Sequence, residues 1–84
     1  MTAIKTERYN GWTNRQTLNV ALWFGNDESL YRAVLAHGRF LNLIDTREFV
    51  KYILPDGTKD FDGPEDYKNV CWMEIRACFN EMIG

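Results

Sequence analysis

Apolar side chains recur at helical spacing in four stretches of the chain, each bounded by residues that start or stop helices. The pattern predicts four helices, over residues 15–24, 27–37, 46–54 and 64–82. Apolar residues cover most of the first helix and leave a narrow polar strip of Arg15, Gln16 and Asn19. A helix with so little polar surface is expected to be buried on more than one side. We therefore predict an all-α fold, a compact bundle of about four short helices.

The first two helices have clear signals at their ends. Asn14 is a suitable N-cap, because its side-chain oxygen can accept a backbone N–H of the first turn. Gly25, Asn26 and Asp27 end the first helix and can cap the second. The connection is then only two or three residues long, which favours an antiparallel neighbour. Gly38 is expected to end the second helix.

The third and fourth helices are predicted from similar signals. Asp45, with Glu48 three residues later, predicts a capping box at the start of the third helix. Pro64 suits the first position of the fourth helix. That helix carries one wide apolar arc: Tyr67, Cys71, Ile75, Cys78, Phe79 and Met82. Its opposite side is marked by Asn69, Arg76 and Asn80. An arc this broad predicts the central helix of the bundle, or one that also faces a partner.

Two stretches are less regular. Residues 39–44, RFLNLI, are compatible with continued helix, a tight loop or a small strand pair, and their apolar content predicts burial. Residues 1–9 are polar and mixed in charge, which predicts a flexible arm. The length of 84 residues predicts one small helical domain spanning 1–84.

Composition and charge limit the cellular setting. Ten basic and twelve acidic residues give a net charge of −2, which does not support a basic nucleic-acid-binding stripe. Cys71 and Cys78 lie about 10 Å apart by helical rise, beyond disulfide reach, so both are expected to be reduced thiols. No apolar run approaches the ~20 residues of a membrane span. The chain is expected to be soluble and cytoplasmic, with no membrane association.

No catalytic, cofactor-binding or metal-binding constellation is visible in the sequence. The only histidine, His37, lies in the last turn of the second helix, where a cation is favoured by the helix dipole. A calcium loop beginning at Asp56 fails because Phe61 occupies the required glycine position. The two cysteines lack CxxC or Cys/His spacing. We expect a protein that is not an enzyme and that needs no cofactor or metal.

The three tryptophans are either core or interface residues. Trp is enriched at interface hot spots, yet in a small domain it is first a core filler. We predict that Trp23 belongs to the core. For Trp12 and Trp72 the core and a binding surface are equally compatible with the pattern.

One segment resembles a known group. It runs Asn10-Gly11-Trp12-Thr13-Asn14, then Thr17, then Asn19-Val20-Ala21-Leu22-Trp23, then Asn26-Asp27. This signature is similar to the opening of a group of small, uncharacterised proteins carried by bacteriophages and other mobile elements. The group has no established activity to carry over, and the resemblance implies only a phage or mobile-element source. Together with the small size and the absence of catalytic groups, it predicts a protein that binds and inhibits a host defence protein or ribonucleoprotein complex, of the anti-CRISPR or wider anti-defence kind.

The alternative function is a nucleic-acid-associated regulatory or accessory module that uses Lys5, Arg8 and Arg15. Direct nucleic-acid binding is less consistent with the net charge of −2.

The most acidic stretch, residues 56–66, is the predicted docking surface, because its carboxylates can meet a basic groove on a partner. The predicted partner-binding residues are Asp56, Asp60, Asp62, Glu65 and Asp66, with Tyr67 and Trp72 on the helix that follows.

Overall fold

The computed structural model describes residues 11–59 and 61–84 and confirms the all-α fold. The helices in these residues are α1 (Arg15–Asn26), α2 (Glu28–His37), α3 (Leu43–Ile53), a 3-10 helix (Pro64–Asn69) and α4 (Trp72–Ile83). These described residues contain no strand, so the alternative of a strand pair at 39–44 is wrong. The predicted arm at 1–9, Asn10 and Asp60 lie outside the described part.

Side-chain caps fix the starts of α1 and α2 as the sequence predicts, whereas α1 continues two residues past its predicted end at 24, through Asn26. The Asn14 side chain accepts the backbone N–H of Thr17 at 2.9 Å and so caps α1. Asp27, the residue that follows α1, accepts the N–H of Leu30 at 3.1 Å and caps α2. Because only Asp27 separates the two helices, they pack directly against each other.

The core is built around three fully buried phenylalanines. Phe79 lies between the other two, with ring centroids 5.1 Å from Phe24 and 5.2 Å from Phe40. The remaining buried apolar residues are Val20, Ala21, Val34, Val50, Tyr67, Val70 and Ile75. Since α4 contacts α1, α2 and α3, the last helix is the centre of the packing, as predicted.

The third helix begins three residues earlier than predicted. Asn42 is its N-cap, and the Asn42 side chain accepts the N–H of Asp45 at 2.8 Å. The predicted Asp45–Glu48 capping box is therefore wrong, because Asp45 is already inside the helix. Thr46 is buried and donates its hydroxyl to the Asn42 carbonyl at 2.9 Å. This bond ties the first turn of α3 to its cap.

Residues 39–44 are only partly buried, which corrects the predicted burial of the whole segment. Phe40 is inaccessible, whereas Leu41 and Ile44 are 73% and 63% exposed. Asn80 accepts the Phe40 N–H at 2.8 Å, and Arg76 donates to the Phe40 carbonyl at 2.9 Å. Arg76 and Asn80, expected on the polar side of the last helix, therefore hold this loop against α4.

The predicted helix at 64–82 is interrupted. Residues Pro64–Asn69 form a 3-10 helix, and Cys71 is the N-cap position of α4 rather than a residue inside it. The Cys71 N–H donates to the Thr17 hydroxyl at 2.8 Å. The Asn14 side-chain amide donates to the Asn69 carbonyl at 2.6 Å. These two bonds to α1 and its cap satisfy backbone groups that a continuous helix would have used internally.

Candidate partner-binding surfaces

The acidic loop at 56–66 contains both exposed and structural carboxylates. Asp56, Asp62 and Glu65 are exposed, as a docking surface requires. Asp66 is partly buried and accepts the backbone N–H of Asp62 at 2.8 Å, so its carboxylate closes the loop. The predicted contribution of Asp60 falls outside the described residues.

Tyr67 is a core residue rather than a projecting anchor. Only 3% of it is exposed, and its hydroxyl donates to the Leu54 carbonyl. Burial, with a smaller contribution from the negative charge of Asp56, raises the pKa of Tyr67 to about 12. The side chain is therefore a neutral phenol at physiological pH, and it joins α3 to the 3-10 helix.

A groove lies where Tyr67 and Trp72 meet α3. Its volume is about 410 Å³. It is lined by Arg47, Lys51, Pro64, Glu65, Tyr67, Lys68 and Trp72, and we call it the basic groove. Trp72 is partly buried at the start of α4, with its ring centroid 5.9 Å from that of Tyr67. The predicted site residues Glu65, Tyr67 and Trp72 therefore line this groove. Three of the four charged residues in its lining are cations.

The cations of the basic groove were not predicted as site residues. Arg47 and Lys51 are four residues apart on α3, so they share one helix face, and Lys68 precedes Trp72 by four residues. Glu65 is the carboxylate of the groove, and it lies against Gly63, where a Cβ would come within 2.7 Å of its Oε1. The basic i,i+4 pair on α3 is the sequence signal that could have identified this surface.

A second depression lies along the exposed side of α1. It has a volume of about 370 Å³ and is lined by Asn19, Leu22, Trp23, Asn26 and Asp27; we call it the Trp23 pocket. Trp23 is partly exposed here, and the Lys59 ammonium lies 6.0 Å from its ring centroid. Trp23 is not among the residues of the core or those packed against it, so its predicted core role is wrong. Trp12 and Trp72 do pack against the core.

The burial of Asn19 and Leu22 is the reverse of what the apolar pattern of α1 predicts. Leu22 is 47% exposed, whereas Asn19, expected in the polar strip, is 8% exposed. The Asn19 side-chain nitrogen Nδ2 is buried and has no hydrogen-bond partner. Leaving a buried donor unpaired costs about 1–3 kcal/mol. This cost is concentrated in one residue of the Trp23 pocket.

The surroundings of His37, Cys71 and Cys78 are typical of side chains that pack rather than react. The His37 ring stacks on Phe40 with centroids 3.9 Å apart, and its Nδ1 lies 2.9 Å from the Gly38 carbonyl oxygen. Cys71 and Cys78 are free thiols. Burial, followed by the negative charge of Glu81, raises the pKa of the Cys78 thiol and so disfavours the reactive thiolate.

Two kinds of feature are absent from the described residues. Residues 11–59 and 61–84 contain no group of three or more His, Cys, Asp or Glu side chains arranged to hold a metal ion. Within the same ranges, no helix combines the length and apolar character needed to cross a membrane.

Comparison with known proteins gives one match. Residues 5–83 match the sequence model of a family of unknown function, DUF7249. The chain belongs to this family. No curated protein and no solved structure matches it. The DUF7249 match extends over nearly the whole chain and includes all the helices described above.

Proposed function

We propose that this protein is a non-enzymatic binding protein of a phage or other mobile element, and that it inhibits a host defence complex by occupying one of its surfaces. The source comes from the resemblance of the Asn10–Asp27 segment, and the target class from that resemblance together with the small size of the chain and the lack of a catalytic constellation in its sequence. The mode of action, by binding alone, comes from the surfaces and the side-chain chemistry described above.

One observation carries the proposal: the Trp23 pocket presents an accessible tryptophan beside a buried, unpaired amide. All five residues that line the pocket belong to the segment that carries the resemblance. Tryptophan supplies a large contact area and is enriched among residues that dominate interface affinity. A partner that places a carbonyl or carboxylate oxygen by Asn19, with a small rotation of its amide, gains a hydrogen bond that the free protein lacks.

Support for a non-catalytic role comes from the groups that would otherwise perform chemistry. Burial pushes the Cys78 thiol and the Tyr67 phenol towards their neutral, less nucleophilic forms. The His37 ring is stacked on Phe40. These surroundings favour packing over acid–base or nucleophilic catalysis.

The proposal is tested by expressing the protein in bacteria that each carry one defence system and measuring phage plating efficiency. Restored plating against at least one system is expected. Replacement of Leu22 by Arg fills the Trp23 pocket with a long charged side chain and is expected to abolish the effect. The control is Leu35→Arg on α2, since Leu35 is similarly exposed, 40% against 47% for Leu22, and lies outside the pocket.

A purified target then decides the mechanism. Leu22→Arg is expected to weaken target binding at least tenfold, and Leu35→Arg to leave the affinity nearly unchanged. No protection by the wild-type chain across the systems tested, or equal losses in both variants, would refute the proposal.

Binding to bare DNA that falls steeply with ionic strength and needs no protein partner would instead favour the nucleic-acid-associated alternative. Of its predicted basic residues, Arg15 is exposed at the start of α1, while Lys5 and Arg8 lie outside the described part of the chain.

A further inference from the structure

We infer that the basic groove binds an acidic segment of a protein, with carboxylates paired to its cations and an apolar side chain set against Trp72. This surface is separate from the Trp23 pocket: the two share no lining residue. The inference does not depend on the phage or defence context proposed above.

The arrangement of the cations is the first argument. Arg47 and Lys51 are separated by four residues of α3, about 6 Å along the helix axis, and Lys68 approaches from the 3-10 helix. Lys51 and Lys68 are exposed and form no ion pair with any described residue. Arg47 has only a 3.4 Å contact with its neighbour Glu48 on the surface. Two of the three positive charges are therefore unpaired within the described part of the chain, and the Arg47 charge has only this surface contact there.

Charge complementarity is the second argument. The whole chain carries a net charge of −2, yet three cationic side chains and one carboxylate line this groove. Opposite potentials across an interface speed association and set the orientation of a partner. A local excess of positive charge on a net acidic protein therefore selects an anionic ligand at this place.

The other groups in the groove favour a peptide over nucleic acid. Pro64 and Trp72 supply apolar surface between the charges, which suits an alternation of acidic and apolar side chains. The Glu65 carboxylate stands in the same groove and would repel a continuous line of phosphates.

The test uses a fluorescein-labelled peptide of alternating Glu and Leu, titrated with the full chain and followed by anisotropy at low ionic strength. The matched probes are the same peptide with Gln for Glu and a labelled oligothymidine of equal net charge. We expect the Glu peptide to bind, the Gln peptide to bind at least tenfold more weakly, and the affinity to fall as salt is added.

Variants locate the binding on the protein. Lys51→Gln and Lys68→Gln are each expected to weaken binding by about two- to fivefold, the range for exposed ion pairs, and the double variant by roughly tenfold. Lys59→Gln is the control, because Lys59 is equally exposed but lies by Trp23. In nitrogen–proton spectra, the indole signal of Trp72 should shift with the Glu peptide while that of Trp23 stays in place.

Three results would overturn the inference. They are no binding of the Glu peptide, equal losses with Lys59→Gln and the two groove variants, and tighter binding of oligothymidine than of the peptide. Because all three lysines are exposed, their replacement is expected to leave the fold intact, and circular dichroism of each variant checks this.

Discussion

Replacing Asn19 with Leu is expected to make the protein more stable. Asn19 is a buried polar residue with a relative exposure of 8%. The buried Nδ2 of Asn19 has no hydrogen-bond partner, and leaving such a donor unpaired costs about 1–3 kcal/mol. Leucine is similar in size and removes the donor. It also has a higher helix propensity, which contributes a few tenths of a kcal/mol inside α1. The free energy of unfolding should therefore rise by about 1–3 kcal/mol.

The assay is urea denaturation followed by far-UV circular dichroism, with a thermal melt in parallel. For a domain of this size, each kcal/mol corresponds to a rise in melting temperature of about 4–8 °C. Asn26→Leu is the matched control, because Asn26 lines the same Trp23 pocket but is exposed at the end of α1. Its unfolding free energy should change by less than about 0.5 kcal/mol.

A loss of stability in Asn19→Leu, or the same change in both variants, would refute this reasoning. The first result would mean that the Asn19 amide forms a stabilising interaction in the folded protein. The second would mean that the gain reflects only the added apolar surface. If the prediction holds, the unpaired amide is a cost that the free protein bears, as is common where a residue serves binding rather than stability.

Two further predictions concern the loop and its anchor. The folded state raises the pKa of Tyr67 from 10.0 to about 12, so stability that is fully present below pH 10 is lost as the pH rises towards 12. Tyr67→Phe should remove this pH dependence in urea melts and cost about 1 kcal/mol at neutral pH, because the Leu54 carbonyl loses one of its two donors and keeps only the Gly57 N–H. Gly57→Ala should destabilise the protein by more than Gly38→Ala does. Both glycines have φ near +90°, but only a Cβ on Gly57 would clash with a neighbour, a ring carbon of Phe61. Equal unfolding free energies for the two alanine variants would contradict the steric argument.

The parts of the fold that the sequence predicts correctly depend on contacts between residues that are close in sequence. Asn14 and Asp27 cap their helices through atoms three residues away, so the pattern alone identifies them. The start of α3 was missed because Asn42 and Asp45 are both good N-caps. Starting at Asn42 lets the helix use Thr46 to bond its cap, a choice that local pattern does not reveal.

The interruption before α4 was missed for a different reason. The stretch 64–82 has continuous helical periodicity, so no local signal opposes a single helix. The break is fixed by the Cys71 N–H, which donates to the Thr17 hydroxyl 54 residues away. Tertiary hydrogen bonds of this kind override helix propensity, which is only a weak preference.

The candidate surfaces were also only partly predictable. Sequence reasoning found Trp72 and the acidic loop, since both are conspicuous in composition. It missed the basic groove because Arg47, Lys51 and Lys68 lie on two elements that only the tertiary fold brings together. It placed Trp23 in the core because the apolar pattern of α1 does not show which side α4 covers.

The acidic loop, residues 56–66, has at least one residue near each of the two surfaces. At one end Lys59 lies by the Trp23 ring, and at the other Glu65 lines the basic groove. Between them the Phe61 ring contacts the buried Tyr67 ring at 5.1 Å, which anchors the loop to the core. The exposed carboxylates that the sequence predicts as docking residues, Asp56, Asp62 and Glu65, lie to either side of this anchor. Their role in docking stays a prediction, and its physical basis is that opposite charge across an interface speeds the approach of a partner.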